Sequence, residues 1–424
     1  MATSDPFAGL RIPFVRAFAF GRAAAILGMM ALSLAVGWQL YERTGSAWAL
    51  GLVGLVEVIP VVVLMLPAGS VADRYARRNV AIFAHSLLAL AAAGLWFASR
   101  LEAPLAVIYA LLVLVGVSRA FASPSVGTIL PQLLEPEQFA NVNAWLATSF
   151  QLAAISGPAV GGFLIAWTGD AAWVYAAAAA GQLLFILALW SVPALPPPAP
   201  RERHDARELF AGLAFIRRNP VFLAAITLDL FAVLLGGAVA LLPMVAKDVL
   251  GVGAGAMGWL RAAPSLGALL MALVTTHLPP WRRPGRTLLA TVAGFGLATV
   301  GFGFSKSYWL SMLCLFLTGV FDEVSVVIRM TLEQILTPDA LRGRVSAVHY
   351  VFIGFSNELG AFESGATAAL FGLIPAIVGG GVGTLLVVAL VARVWPQLAA
   401  LGPLDTLRPL EVEPVESLEA SSAP

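Results

Sequence analysis

Ten charged side chains stand inside otherwise apolar stretches of this chain: Arg22, Glu57, Arg119, Asp229, Arg261, Asp322, Glu323, Arg329, Glu358 and Glu363. A charge at the centre of a hydrocarbon layer costs at least ~2.5–3.5 kcal/mol on insertion scales, so such residues pair, line a water-filled cavity or carry function. The chemistry open to them is ion pairing, substrate contact and reversible proton binding, since desolvation favours the neutral form of a carboxyl. At a helical rise of ~1.5 Å per residue, Glu57, Asp229, Asp322, Glu323 and Glu358 fall near mid-membrane. Arg261 and Glu363 fall toward the outside, and Arg22 and Arg329 toward the inside. Spacing suggests three structural pairs. Asp322 and Arg329 share a helix face, Arg329 and Glu333 are adjacent on one face, and Arg261 and Glu363 would meet near the outer rim. No basic residue lies between Asn219 and Lys247, so Asp229 has no local partner, and Glu323 is on a different face from Arg329. Asp229 and Glu323 are therefore the first candidates for proton or substrate binding, then Glu358, with Glu57 and Asp322 in the same class.

The elements that position these residues follow from composition. Of 424 residues, 59% are hydrophobic and 12% charged, against about 25% charged in a soluble domain; mean hydropathy is +0.88. Such a chain is solvated by lipid. Apolar runs long enough to cross ~30 Å of hydrocarbon as helix occur about twelve times, near 14–40, 48–68, 79–98, 104–128, 140–167, 171–191, 220–246, 254–277, 286–305, 308–331, 343–370 and 374–395. The proline-rich, basic segment 192–219 divides them six and six. The predicted fold is all-α and integral to the membrane: twelve transmembrane helices in two six-helix, pseudo-symmetric bundles, 1–191 and 220–396, with the linker 192–219 and a tail 397–424 on the cytoplasmic side. LPQLLEPEQFANVNA (130–144) recurs as EQILTPDALRGRVSA (333–347), with Gln132 over Gln334 and Pro136 over Pro338, as parallel repeats require. Sixteen arginines fall in segments on the side of the two chain ends, against Arg43, Arg100, Lys247 and Lys306 on the other. By the positive-inside rule both ends are cytoplasmic. The N-terminal run reads as a retained helix rather than a cleaved signal.

A net charge of +1 gives no field to recruit nucleic acid. One cysteine, Cys314, excludes an internal disulfide, and four scattered histidines form no metal-ligand motif. No nucleophile, metal or phosphate-cradling motif is present, so neither an enzyme nor a cofactor is expected.

Three motifs complete the reading. GSVADRYARRNV (69–80), between runs two and three, resembles motif A of the major facilitator superfamily at Gly69, Ala72, Asp73, Arg74, Arg77 and Arg78; Ala76 stands where that motif has its second glycine. SGPAVGG (156–162) resembles motif C of that superfamily's exporters through Gly157, Pro158, Gly161 and Gly162, and Arg119 in GVSRAFASP sits where motif B places a buried arginine. Over nearly its whole length the chain is similar to the superfamily branch that includes the bacterial enterobactin exporter. The resemblance implies a latch in motif A, with Asp73 pairing to arginines and to a helix N-terminus of the other half when the cytoplasmic side is closed. It implies a secondary active transporter in the bacterial inner membrane, a monomer whose partners are lipid, protons and a small molecule. The expected function is proton-coupled export of a drug-like or siderophore-like compound. An uptake symporter and a lipid flippase of the same fold stay open as alternatives.

Overall fold

The computed structural model describes residues 7–194, 213–279, 281–339 and 341–408. Most of the linker and the far end of the tail lie outside them. Among the described residues there is no strand, and the long helices are α1 Pro13–Thr44, α2 Ala47–Arg74, α3 Arg77–Arg100, α4 Leu105–Val126, α5 Pro136–Thr168, α6 Ala172–Ser191, α7 Pro220–Leu235, α8 Ala254–Thr275, α9 Pro284–Phe304, α10 Tyr308–Leu336, α11 Arg342–Phe371 and α12 Leu373–Val394. Prolines at the first position start α1, α5, α7 and α9, where the missing N–H costs nothing. Gly45 and Gly169, at φ 60° and 72°, end α1 and α5 as left-handed caps. α7 breaks at Gly236–Gly237 and continues through short turns, ending in a π turn over Val245–Val249.

Counting α7 with its continuation, eleven helices among the described residues are long and apolar enough to cross a membrane. The expected count of twelve is met by eleven, because α11, with Arg342, Arg344, Glu358 and Glu363, is the polar one. The packing pattern shows the repeat directly. In the first half α1 packs on α5 and α6, α3 on α4 and α6, and α2 on α4; in the second α7 packs on α11 and α12, α9 on α10 and α12, and α8 on α10. Each pair recurs six helices later. The halves meet through α2 against α11 and α5 against α8, two contacts that exchange under the same repeat.

We call the end where α1 begins and α12 finishes basal, and the opposite end distal. The contacts joining the halves gather distally. Trp48 lies against Phe362 with ring centroids 6.1 Å apart. Tyr41 hydrogen-bonds Asp248, and Lys247 is 3.9 Å from Glu42. The motif-C glycines divide the work. A Cβ at Gly157 or Gly161 would sit 2.6 Å from Met30 Cβ and 3.0 Å from Ala31 Cα, seating α5 on α1; one at Gly162 would sit 2.4 Å from the Ala254 carbonyl across the seam, and one at Gly258 would sit 2.5 Å from the Pro158 carbonyl. Backbone atoms cannot yield as a side-chain tip can, so the seam closes this tightly only with glycine on both sides.

Candidate functional site

The seam is crossed at mid-depth by a charged cluster. Arg119 Nη1 on α4 lies 2.8 Å from Glu57 Oε2 on α2 and 2.9 Å from Glu358 Oε1 on α11. The sequence required a partner or a water-filled cavity for this arginine. It has two partners, one from each half, and its side chain is 44% exposed against 13% for Glu57 and 23% for Glu358. Arg261 on α8 lies close enough for its charge to act on both acids, and its guanidinium donates to Ser33 Oγ of α1 at 3.0 Å. Two acids and two arginines, drawn from both halves, thus share one site. The expected Arg261–Glu363 pair is not formed: Arg261 reaches inward across the seam, and Glu363 accepts from Thr367 Oγ1 on its own helix at 2.8 Å.

A second group lies wholly within the C-terminal half. Asp229 of α7 pairs with Arg329 of α10, both side chains about nine-tenths buried. This overturns the reading of Asp229 as partnerless and of Asp322 as the mate of Arg329. The spacing argument looked only along α10, whereas the buried face of α10 carrying Arg329 is turned to α7. Arg329 does not pair with Glu333 either; Glu333 accepts hydrogen bonds from Ser346 and His349 of α11. His349 is one of the four scattered histidines that form no motif in the sequence, and only the packing of α11 on α10 brings it to Glu333. Asp322 and Glu323 of α10 have no hydrogen-bonded or ion-paired partner among the described residues, and the same holds for Arg22 of α1.

At the basal end the motif-A residues stay within their own half. Arg77 lies 3.9 Å from Asp73, and Arg78 donates to the Val192 carbonyl at 2.8 Å. A Cβ at Gly69 would meet nothing within 4 Å, and Tyr75 is 60% exposed. Among the described residues the expected pairing of Asp73 with the opposite half is not made, and the contacts that join the halves gather at the distal end instead. The distal contacts Tyr41–Asp248 and Glu42–Lys247, with Lys247 6.0 Å from the Trp38 ring centroid, have no signature in the sequence, because each joins residues of different halves far apart in the chain. A buried network of Gln39, Ser99 and Tyr175, and another of His85 and Gln182, tie α1, α3 and α6 together.

The family model described as Major Facilitator Superfamily matches residues 18–361. The chain is 31% identical over 390 residues to the enterobactin exporter of Shigella boydii serotype 18, spanning 91% of this chain and 92% of that one. The enterobactin exporter of Escherichia coli O81 matches with the same identity and coverage. Among solved structures, a mutant peptide transporter POT superposes with a TM-score of 0.72 at 12% identity, over 92% of this chain and 95% of that one. A bacterial homologue of the human lysosomal transporter Spinster, inward-facing and occupied, superposes with a TM-score of 0.72 at 15% identity, over 93% and 99%. At those identities the structural likeness speaks for the fold alone.

Proposed function

The chain belongs to the major facilitator superfamily, and from that premise we propose that it exports an amphipathic, siderophore-like small molecule in exchange for protons by alternating access. That it is a multi-pass membrane transporter rather than an enzyme follows from the family. The observation that carries the finer reading is the cluster Glu57–Arg119–Glu358. One arginine is held by an acid from each half, at mid-depth and partly exposed. Protonating Glu358 removes the one charge of the opposite half that holds Arg119 and weakens the bridge across the seam. Proton binding and separation of the halves are then one event. In this reading the basal end faces the cytoplasm, the present conformation is open to it, and the motif-A latch of Gly69, Asp73, Arg74, Arg77 and Arg78 closes in the opposite conformation. The unpartnered acids Asp322 and Glu323 and the glycines and proline of motif C serve the same cycle, the first at the cavity wall and the second at the seam. The protein works as a monomer in the inner membrane.

A proton moving down ~100 mV releases about 2.3 kcal/mol, equivalent to a substrate gradient of roughly 50-fold. The 31% identity to enterobactin exporters makes enterobactin the first compound to test. Everted membrane vesicles containing the protein should accumulate labelled enterobactin when respiration acidifies their lumen, and a protonophore should release it. Accumulation only by right-side-out vesicles would make it an importer.

A further inference from the structure

The second buried group gives the C-terminal half a proton site of its own, separate from the cluster on the seam. Asp229 and Arg329 form one ion pair and Glu333 and His349 another contact, and Arg329, Glu333 and His349 line the same small cavity between α7, α10 and α11. The rest of that lining is apolar: Val221, Phe222, Ala225, Ile226, Leu332 and Leu336. His349 is 5% and Glu333 6% exposed. Nδ1 of His349 is the ring nitrogen against Glu333 Oε2. An ionised carboxylate only accepts, so Nδ1 carries the hydrogen, and the neutral ring presents Nε2 as a bare acceptor. Nε2 is buried and has no hydrogen-bond partner among the described residues.

Charge balance decides what this nitrogen does. With His349 neutral, Asp229, Arg329, Glu333 and His349 sum to one net negative charge, buried beside a cavity whose remaining lining is apolar. Uncompensated buried charge is costly, and one proton removes it. We propose that His349 Nε2 is the site where the C-terminal half takes up a transported proton. The proton arrives through the cavity and forms an N–H bond at Nε2, Nδ1–H stays on Glu333, and no other bond changes. The imidazolium is held by Glu333, whose other oxygen is fixed by Ser346, while Asp229 keeps Arg329 neutralised. The charged groups that line the cavity with the ring are Glu333 and Arg329 from α10, with Asp229 of α7 held on Arg329, and α11 itself carries Arg342, which pairs with Asp339, and Arg344 near its start. On the other helices against α11, α12 carries only Arg393, which is exposed, and α2 carries Glu57, engaged by Arg119, and Asp73 and Arg74 at its basal end.

This inference rests on the proton-exchange reading above, and one experiment separates the two. Protein in liposomes loaded with a pH-sensitive dye is given enterobactin outside, and proton movement and substrate counterflow are read in parallel. The expected result for His349→Gln is counterflow within about twofold of wild type with substrate-driven proton movement reduced at least tenfold. In the 15N spectrum of the wild type, one imidazole signal absent from His349→Gln should change from the neutral to the protonated form as the pH is lowered. Normal proton movement in His349→Gln overturns the assignment while leaving proton exchange intact. Loss of counterflow together with proton movement assigns His349 a structural role and overturns it as well. A wild type that moves no protons overturns both.

Discussion

Replacing Arg119 with Gln is expected to stop transport while leaving the protein inserted and folded. The substitution leaves Glu57 and Glu358, one from each half, facing each other without the guanidinium that lies within 2.9 Å of both. Removing one partner of a fully buried pair costs ~3–5 kcal/mol. Arg119 is 44% exposed at its side chain, so water screens part of that. A residual of about 2–3 kcal/mol corresponds to roughly a 30- to 150-fold loss of turnover. Lysine at the same position keeps the charge and loses the planar fork that two carboxylates can share, so Arg119→Lys should fall between. A double change, Arg119→Gln with Glu358→Gln, removes the repulsion and should recover stability without recovering transport. Turnover of Arg119→Gln equal to wild type at matched expression would show that the seam cluster has no part in the cycle.

The second large effect is on stability. Asp229→Asn leaves Arg329, 5% exposed at its side chain, buried without its counter-charge. A loss of ~3–5 kcal/mol is expected, seen as a lower melting temperature in detergent and reduced yield from the membrane. Joint replacement of Asp229 by Asn and Arg329 by Gln should restore most of the loss, because no unpaired charge remains. An unchanged melting temperature for the single variant would mean that the pair contributes nothing to the fold.

Asp229 also marks where reading a sequence runs out. The helical runs, their division and their symmetry were legible because lipid imposes length and hydropathy on every spanning helix. Gly157, Gly161 and Gly162 were legible because close backbone approach leaves small residues as its trace. The charge partners were not. Asp229 and Arg329 are a hundred residues apart in the chain, and helix spacing ranks only neighbours on the same helix, so Arg329 was assigned to Asp322 and Glu333. Those residues lie within reach along α10, but Arg329 turns to α7 and Glu333 to α11. His349 shows the same limit from the other side: an isolated histidine in sequence becomes half of a buried pair when α10 and α11 pack. Arg119 was the intermediate case, since its burial demanded partners without naming Glu57 or Glu358.

The central claim is that substrate and protons move in opposite directions through one protein. Substrate-driven proton flux measures this most directly, in liposomes containing only the purified protein and a pH-sensitive dye, with membrane potential clamped by potassium and valinomycin. Enterobactin added outside should enter as protons leave, so the lumen should turn alkaline, with no signal from Arg119→Gln. Acidification of the lumen would make the protein a symporter, and a flat trace with substrate still entering would remove protons from the mechanism.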